Sequence, residues 1–117
     1  NPDFEPVSIT FKRVDNILKD FHNGQFDVNL LVNDAEINLF SYFDNIRPRV
    51  EKGIAEKDFG VALNKLAALR PHVDNFFDNV MVMDKDEKVR FNRLSLLAEI
   101  SALFHKIADF SRIVTAG

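Results

Sequence analysis

Apolar residues recur at steps of three and four near the start of the chain, which is the spacing of one face of an α-helix. We predict a first helix that begins at Pro6, where a missing N–H costs nothing, and ends at Asn23-Gly24. Its apolar stripe consists of Val7, Phe11, Val14, Ile17, Leu18 and Phe21. Its opposite face is polar and carries Lys12, Arg13, Asn16 and Lys19. The segment therefore predicts an amphipathic helix with one buried and one solvated face.

Three more helices are predicted between residues 33 and 80. Asn33 followed by Glu36 matches a capping box, with Asn in place of Ser or Thr, and begins the second helix. A third helix begins at about Asp58. Because a proline bends or breaks a helix from within, Pro48 is expected to kink or restart the second helix, and Pro71 to start or bend a fourth. The intervening residues 25–32 predict a connecting loop, and we discount a short strand there.

The last predicted helix runs from about Asp86 to Ser111 and follows a charged corner at residues 81–87. The preceding "VMVM" at residues 80–83 is interpreted mainly as core filling. At 100° per residue, Arg93 projects onto the apolar face of this helix, Arg90 onto the edge of that face, and Asn92 onto the polar face. Because a buried unpaired charge is costly, Arg93 needs a partner.

Two interpretations of these arginines stay open. In the first, Arg93 pairs with Asp74 or Asp78 and donates to the carbonyls that end the preceding helix, while Arg90 pairs with Asp86 one turn earlier. In the second, both guanidinium groups reach RNA phosphates or base edges, and the phenylalanine between them offers a stacking surface. Packing of that ring against another helix is the simpler alternative.

The elements together predict an all-α fold, a single-domain helical bundle of about five helices over residues 1–117. A hydrophobic content of 46%, with 12 Phe, supports a packed core. Four Gly and four Pro are few, which favours long helices over many short strands.

Composition and motifs exclude several classes of function. A net charge of −3 argues against nucleic acid covering the whole surface but leaves room for a local basic face. With no Cys the chain has no thiolate metal site, and His22, His72 and His105 lack ligand spacing. No apolar run approaches the roughly 18 residues of a membrane span. Because no phosphate-binding glycine loop or nucleophile motif occurs either, we expect no catalytic residue, metal or cofactor in this chain.

Four blocks of sequence match those of a known family. They are F-K-R-V-D-N-I-L at residues 11–18, R-P-x-V-D-x-F-F-D-x-V-M-V-M at residues 70–83, R-x-N-R-L-x-L-L at residues 90–97 and A-D-F-S at residues 108–111. In this order they resemble the C-terminal end of bacterial glycyl-tRNA synthetase β subunits. That end is a helical anticodon-binding domain of the DALR type, which arginyl-tRNA synthetases share. The literal D-A-L-R string is only echoed, by A-A-L-R at residues 67–70.

The resemblance implies a non-catalytic fragment, excised from the C-terminal end of a longer chain, that binds the anticodon arm of tRNA-Gly. The parent looks like a glycine–tRNA ligase of the cytoplasm, in which the catalytic α subunit would use glycine and ATP beside the remainder of the β subunit. Neither a DNA partner nor a membrane is implied. The expected RNA-binding residues are the basic and amide side chains Lys12, Arg13, Asn16, Arg90, Asn92 and Arg93.

An alternative function is a helical protein–protein interaction or structural module. Residues 55–66 loosely resemble the helix pair of a tetratricopeptide repeat, but the 34-residue period of that repeat is missing.

Overall fold

The computed structural model describes residues 4–19, 21 and 25–116, with side chains described for residues 5–19, 21 and 25–109. Four α-helices and one short 3-10 helix (η1) make up the described ranges: α1 (Phe4–Leu18), η1 (Val28–Leu30), α2 (Asp34–Ala55), α3 (Phe59–Asn79) and α4 (Glu87–Ala116). These ranges contain no strand. The all-α prediction is confirmed, and so is the loop predicted at residues 25–32, which holds only the 3-10 turn.

The prediction of five helices is wrong because one proline does not break its helix. Pro71 lies inside α3, which continues through it, and Pro48 likewise lies inside α2. A proline removes one hydrogen bond to the carbonyl four residues earlier. Both prolines are exposed, so water can satisfy the carbonyl that loses its donor. The predicted third and fourth helices are therefore one helix.

The four helices run alternately up and down. Asp15 of α1 accepts a hydrogen bond from Ser101 of α4 at 2.6 Å, and Phe11 stacks on Phe104, so α1 and α4 are antiparallel. Helices α2 and α4 are parallel, and α2 packs closely against α3 as a hairpin. One end of the bundle, called here the loop end, therefore collects the connections at residues 25–33 and 80–86.

The core lies between all four helices and contains stacked aromatic rings. Phe11 and Phe104 lie with centroids 4.6 Å apart and planes at 2°. The other large side chains that are fully buried include Phe43, Phe76, Leu39, Ile46, Leu66, Leu69, Leu96, Leu97, Ile100 and Ile107. All of them belong to one contiguous apolar cluster or pack against it. The core therefore holds the helices in a fixed arrangement on which surface residues can be positioned.

The tetrad at residues 80–83 is only half core. Val80 and Val82 are buried, whereas Met81 and Met83 are 70% and 55% exposed. The chain leaves α3 in an extended conformation, with φ −127° and ψ 130° at Val80, and turns at residues 82 and 83. Core filling is thus correct for the valines and wrong for the methionines.

Helix ends follow the predicted caps in two of three cases. The capping box is confirmed: the Asn33 side chain accepts from the Ala35 N–H at 2.8 Å, and the Asn33 N–H donates to Glu36. Asp58 caps α3, as its predicted start requires. The predicted end of α1 is wrong, since that helix stops at Leu18; residues 23 and 24 lie outside the described residues.

Candidate nucleic-acid interface

Arg93 lies inside the bundle, where it links three separate segments. Its Nε and Nη2 donate to the two carboxylate oxygens of Glu36 on α2, at 3.1 and 3.2 Å. Its Nη1 donates to the Met81 carbonyl oxygen at 2.6 Å and lies 3.5 Å from the Asp84 carboxylate. Arg93 is 7% exposed and Glu36 only 1%. A bidentate, charge-assisted pair of this kind is the arrangement that makes a buried charge tolerable.

The helical phase predicted for Arg93 is confirmed, but its predicted partner is wrong. Asp74 lies against Thr10 and Arg70 instead, because it occupies the α1 side of α3. Asp78 is exposed and lines the groove between α1 and α3, away from Arg93. The carbonyl that Arg93 binds belongs to Met81, two residues beyond the end of α3. Arg93 therefore has a structural role at the loop end, where its hydrogen bonds join α4 to α2 and to the 80–86 corner.

Asn92 is also buried, contrary to its predicted position on the polar face. Its Oδ1 accepts from the Asp27 N–H at 2.7 Å, and its Nδ2 donates to the Asp27 carbonyl oxygen at 3.1 Å. The described segment around Asp27, between α1 and α2, lies against the second turn of α4 at this side chain. Both ends of the carboxamide are thus used to fix a loop, which leaves Asn92 a structural role.

Arg90 occupies an intermediate position. It is partly buried, and its Nη1 donates to the Asp84 carbonyl oxygen at 2.9 Å. The predicted ion pair with Asp86 is wrong, because the Asp86 carboxylate instead accepts the backbone N–H groups of Lys88 and Val89 as the cap of α4. Arg90 therefore helps to hold the corner and presents only part of its guanidinium to solvent.

The three candidates on α1 are all exposed. Lys12, Arg13 and Asn16 lie on the solvated face of the helix, as its periodicity predicts. The Arg13 guanidinium carbon lies 4.3 Å from the centre of the Phe77 ring on α3, a cation–π contact that holds the side chain in place. In the part of the chain that the structure describes, neither Lys12 nor Asn16 makes a side-chain hydrogen bond or ion pair. These side chains are available to a ligand.

A groove of about 610 Å³ runs between α1 and α3 beside Arg13. Arg70, absent from the predicted set, lines it from α3 and lies 3.6 Å from Asp74. The spacing of Arg70 and Asp74, four residues apart on a helix, is typical of a surface ion pair and gives no signal for a ligand. Glu5 and Asp78 also line the groove. Three carboxylates and two arginines line it, so the groove itself has no excess of positive charge.

A second groove, of about 250 Å³, lies beside Phe91 at the start of α4. The ring of Phe91 is 44% exposed and meets Phe21 edge to face at 5.5 Å. Gln25 and Lys88, both absent from the predicted set, line this groove. No sequence signal identifies Gln25, because only the loop packed onto α4 brings it beside Phe91. The ring is thus both packed against a neighbour and open to solvent, where sequence alone left these as alternatives.

Other groups in the described residues do not form a competing site. No cluster of three or more His, Asp or Glu side chains there could hold a metal ion. His72 stacks on Tyr42 at 4.4 Å, His105 contacts Asp15 at 2.9 Å, and His22 lies outside the described residues. None of the helices described is both long and apolar enough to cross a membrane.

The described helices thus form an all-α domain with an exposed basic face on α1 and an open aromatic ring at the start of α4. The family model of the DALR anticodon binding domain matches residues 7–115, so the chain belongs to that family. The resemblance seen in the sequence blocks is confirmed, and with it the DALR type of the fold.

Curated proteins that the chain matches include glycine–tRNA ligase β subunits. The chain is 50% identical to that of Syntrophus aciditrophicus over 115 residues, covering 98% of this chain and 17% of the relative. It is 48% identical to that of Sulfurihydrogenibium sp. over 114 residues, covering 97% and 17%, and 48% identical to that of Desulforapulum autotrophicum over 115 residues, covering 96% and 17%. The chain thus spans 17% of the length of these relatives. No solved structure matches it.

Proposed function

We propose that this domain binds the anticodon arm of tRNA-Gly as part of a glycine–tRNA ligase β subunit. Membership of an anticodon-binding family supports the class of ligand, and the names of the relatives support the amino acid. In this proposal the domain carries out no chemistry. The parent assembly attaches glycine to tRNA-Gly in the cytoplasm, and its catalytic α subunit uses ATP.

The observation that carries the proposal is the exposed polar face of α1. Lys12 and Asn16 lie one helical turn apart and have no partner among the described residues, so contacts with RNA would displace no existing interaction. Arg13 is adjacent and already oriented by Phe77, which lowers the entropy lost when its guanidinium meets a phosphate. Basic and amide side chains are the groups that contact RNA phosphates and base edges.

The other three residues first predicted to contact RNA divide differently. Asn92 and Arg93 are buried and fully engaged, so they support the surface from behind. Arg90 presents only part of its guanidinium and would contribute at the margin of the site. Our proposed contact set is therefore Lys12, Arg13 and Asn16, with Arg90 as a peripheral member.

The role in the parent follows from where binding energy is used. A domain that binds the anticodon arm is remote from the acceptor end of the tRNA, where the amino acid is attached. Its binding energy helps to position that end and to discriminate against tRNAs with other anticodons.

The experiment is a titration of the 117-residue chain with a tRNA-Gly anticodon stem-loop, measured by fluorescence anisotropy at several salt concentrations. Lys12→Ala and Arg13→Ala should weaken binding, and each should reduce the slope of log K against log salt by about 0.7 if it removes one single-strand phosphate contact. Arg49→Ala is the matched control, since Arg49 is exposed on α2 and carries the same charge. Undetectable binding at low salt, or an equal loss in all three variants, would overturn the proposal.

A further inference from the structure

We propose that the groove beside Phe91 binds a single unpaired nucleobase of an RNA loop, stacked on the Phe91 ring. This inference rests on the proposed function and deepens it. The exposed face of α1 accounts for contacts with the RNA backbone, whereas the Phe91 groove supplies a site for a base.

The position of the ring is set by its neighbours. Phe91 lies in the second turn of α4, behind the Asp86 cap, and Phe21 meets it edge to face at 5.5 Å. This contact fixes the orientation of the ring while 44% of the residue stays exposed. A rigid, open aromatic surface is the platform that single-stranded nucleic acids use, because every base has a π-face.

The lining of the groove fits a base better than a phosphate. Lys88 and Glu87 both border it, so their opposite charges compensate and little net field remains to hold an anion. Leu30 supplies an apolar wall, and the Gln25 carboxamide offers both a donor and an acceptor. A nucleobase is a flat, neutral ring with a polar edge, so it can pack against the Leu30 wall and hydrogen-bond to the Gln25 carboxamide at the same time. The volume of about 250 Å³ has room for one such ring and not for a packed helix.

The groove lies at the end of the bundle where α1 ends, because Phe21 contacts Phe91 there. Lys12 and Asn16 follow one another along the exposed face of α1, and Lys19, directly after the helix, has the left-handed conformation with φ 45°. Phe21 comes two residues later and touches Phe91. A strand whose phosphates follow α1 toward the loop end therefore reaches the end of the bundle that holds the Phe91 groove.

The experiment compares wild type with Phe91→Leu and Phe91→Trp, using the 117-residue chain and two RNAs. One is the tRNA-Gly anticodon stem-loop and the other a fully paired duplex of the same stem. Phe91→Leu keeps an apolar contact with Phe21 but removes the ring. We expect it to weaken stem-loop binding about 5- to 150-fold, to leave duplex binding unchanged and to keep the melting temperature close to that of wild type. Phe91→Trp should bind the stem-loop at least as tightly as wild type.

A second measurement reports the stacking itself. With 2-aminopurine substituted at each loop position in turn, one position should be quenched by wild type and by Phe91→Trp but not by Phe91→Leu. Val61→Ala, an exposed apolar change at the start of α3 and far from the groove, should behave as wild type in every assay.

Three results would overturn the inference. If Phe91→Leu binds the stem-loop like wild type while Lys12→Ala binds it weakly, the groove is not a base site and the proposed function stands. If wild type binds neither RNA, the proposed function fails as well. If sedimentation instead reveals a dimer that Phe91→Leu dissociates, a second copy of the chain covers the groove.

Discussion

The guanidinium group of Arg93 donates two parallel hydrogen bonds to the Glu36 carboxylate, at 3.1 and 3.2 Å, although 57 residues separate the two in sequence. The same carboxylate accepts the Asn33 N–H at 3.2 Å and so completes the capping box that begins α2. One buried acid thereby serves a helix cap and an ion pair at once. Together, Arg93 and Glu36 hold α4 to the start of α2 and to the corner at residues 80–86.

Arg93→Ala should be strongly destabilising. It leaves the Glu36 carboxylate buried at 1% exposure without its cation, and losses of this kind cost about 3 to 5 kcal/mol. Urea unfolding monitored by circular dichroism measures the change. Arg49→Ala, the loss of an exposed arginine, is the control and should stay within about 0.5 kcal/mol of wild type.

The double variant Glu36→Ala with Arg93→Ala sharpens that test. Because each single change strands a charge that the double change removes, the double variant should lose much less than the sum of the two single losses. Strict additivity, or an Arg93→Ala variant as stable as wild type, would contradict the structural role assigned to the pair.

The sequence identified each residue of this pair but not the contact between them. Helical phase places Arg93 on the apolar face of α4, and the capping-box spacing identifies Glu36, so both residues were singled out separately. Their meeting depends on how α2 packs beside α4, which no local pattern contains. Asp74 and Asp78 were the predicted partners because they are nearer to Arg93 in sequence. The tertiary packing places Glu36 beside Arg93 in their stead.

Asn92→Ala should loosen the connection between α1 and α2. The substitution removes both bonds to the Asp27 backbone, and at about 0.5 to 1.5 kcal/mol for each hydrogen bond the loss is about 1 to 3 kcal/mol. Amide hydrogen exchange should quicken at residues 26–31 before it changes in the helices. The matched control is Asn16→Ala, because Asn16 is exposed and its side chain has no partner in the described ranges.

Uniform protection across residues 26–31 in Asn92→Ala would mean that other contacts hold this loop. A helical wheel assigns Asn92 to solvent because it treats α4 as an isolated cylinder. The segment around Asp27 covers Asn92, and only the tertiary packing brings that segment onto α4.

Phe104→Ala should lower stability by about 3 to 5 kcal/mol, since it removes the ring that stacks on Phe11 in the centre of the core. Thermal and urea unfolding both measure this. Ile9→Ala on the outer face of α1 is the control and should change stability by no more than about 0.5 kcal/mol, because Ile9 is 66% exposed. Comparable losses in the two variants would contradict the helical phase of α1.

The prolines show where sequence rules reach their limit. Pro71 was expected to start or bend a helix; it starts none, because α3 continues through it as one helix. A proline disfavours a helix locally, but burial of Leu69 and Val73 on either side outweighs that local cost. Sequence therefore predicted the helical class and the core face, while the number of helices depended on this balance.

Pro71→Ala should stabilise the domain. Alanine restores the N–H that can bond to the carbonyl four residues earlier, and proline is about 3 kcal/mol less favourable than alanine within a helix. Alanine also gives the unfolded chain more conformational freedom, which offsets roughly 0.4 to 1 kcal/mol of the stabilisation. The expected increase in the free energy of unfolding is therefore about 2 kcal/mol. Pro71 is exposed, so the change empties no core space.

The measurement is the midpoint of urea unfolding, with helix content from circular dichroism at 222 nm as a second readout. Pro48→Ala is the companion variant, because Pro48 is likewise exposed inside α2 and should shift stability in the same direction. A loss of stability in Pro71→Ala alone would mean that α3 needs this proline to keep Phe76 in the core and the 80–86 corner within reach of Arg93. In that case the proline, and not the packing around it, would set the geometry of the loop end.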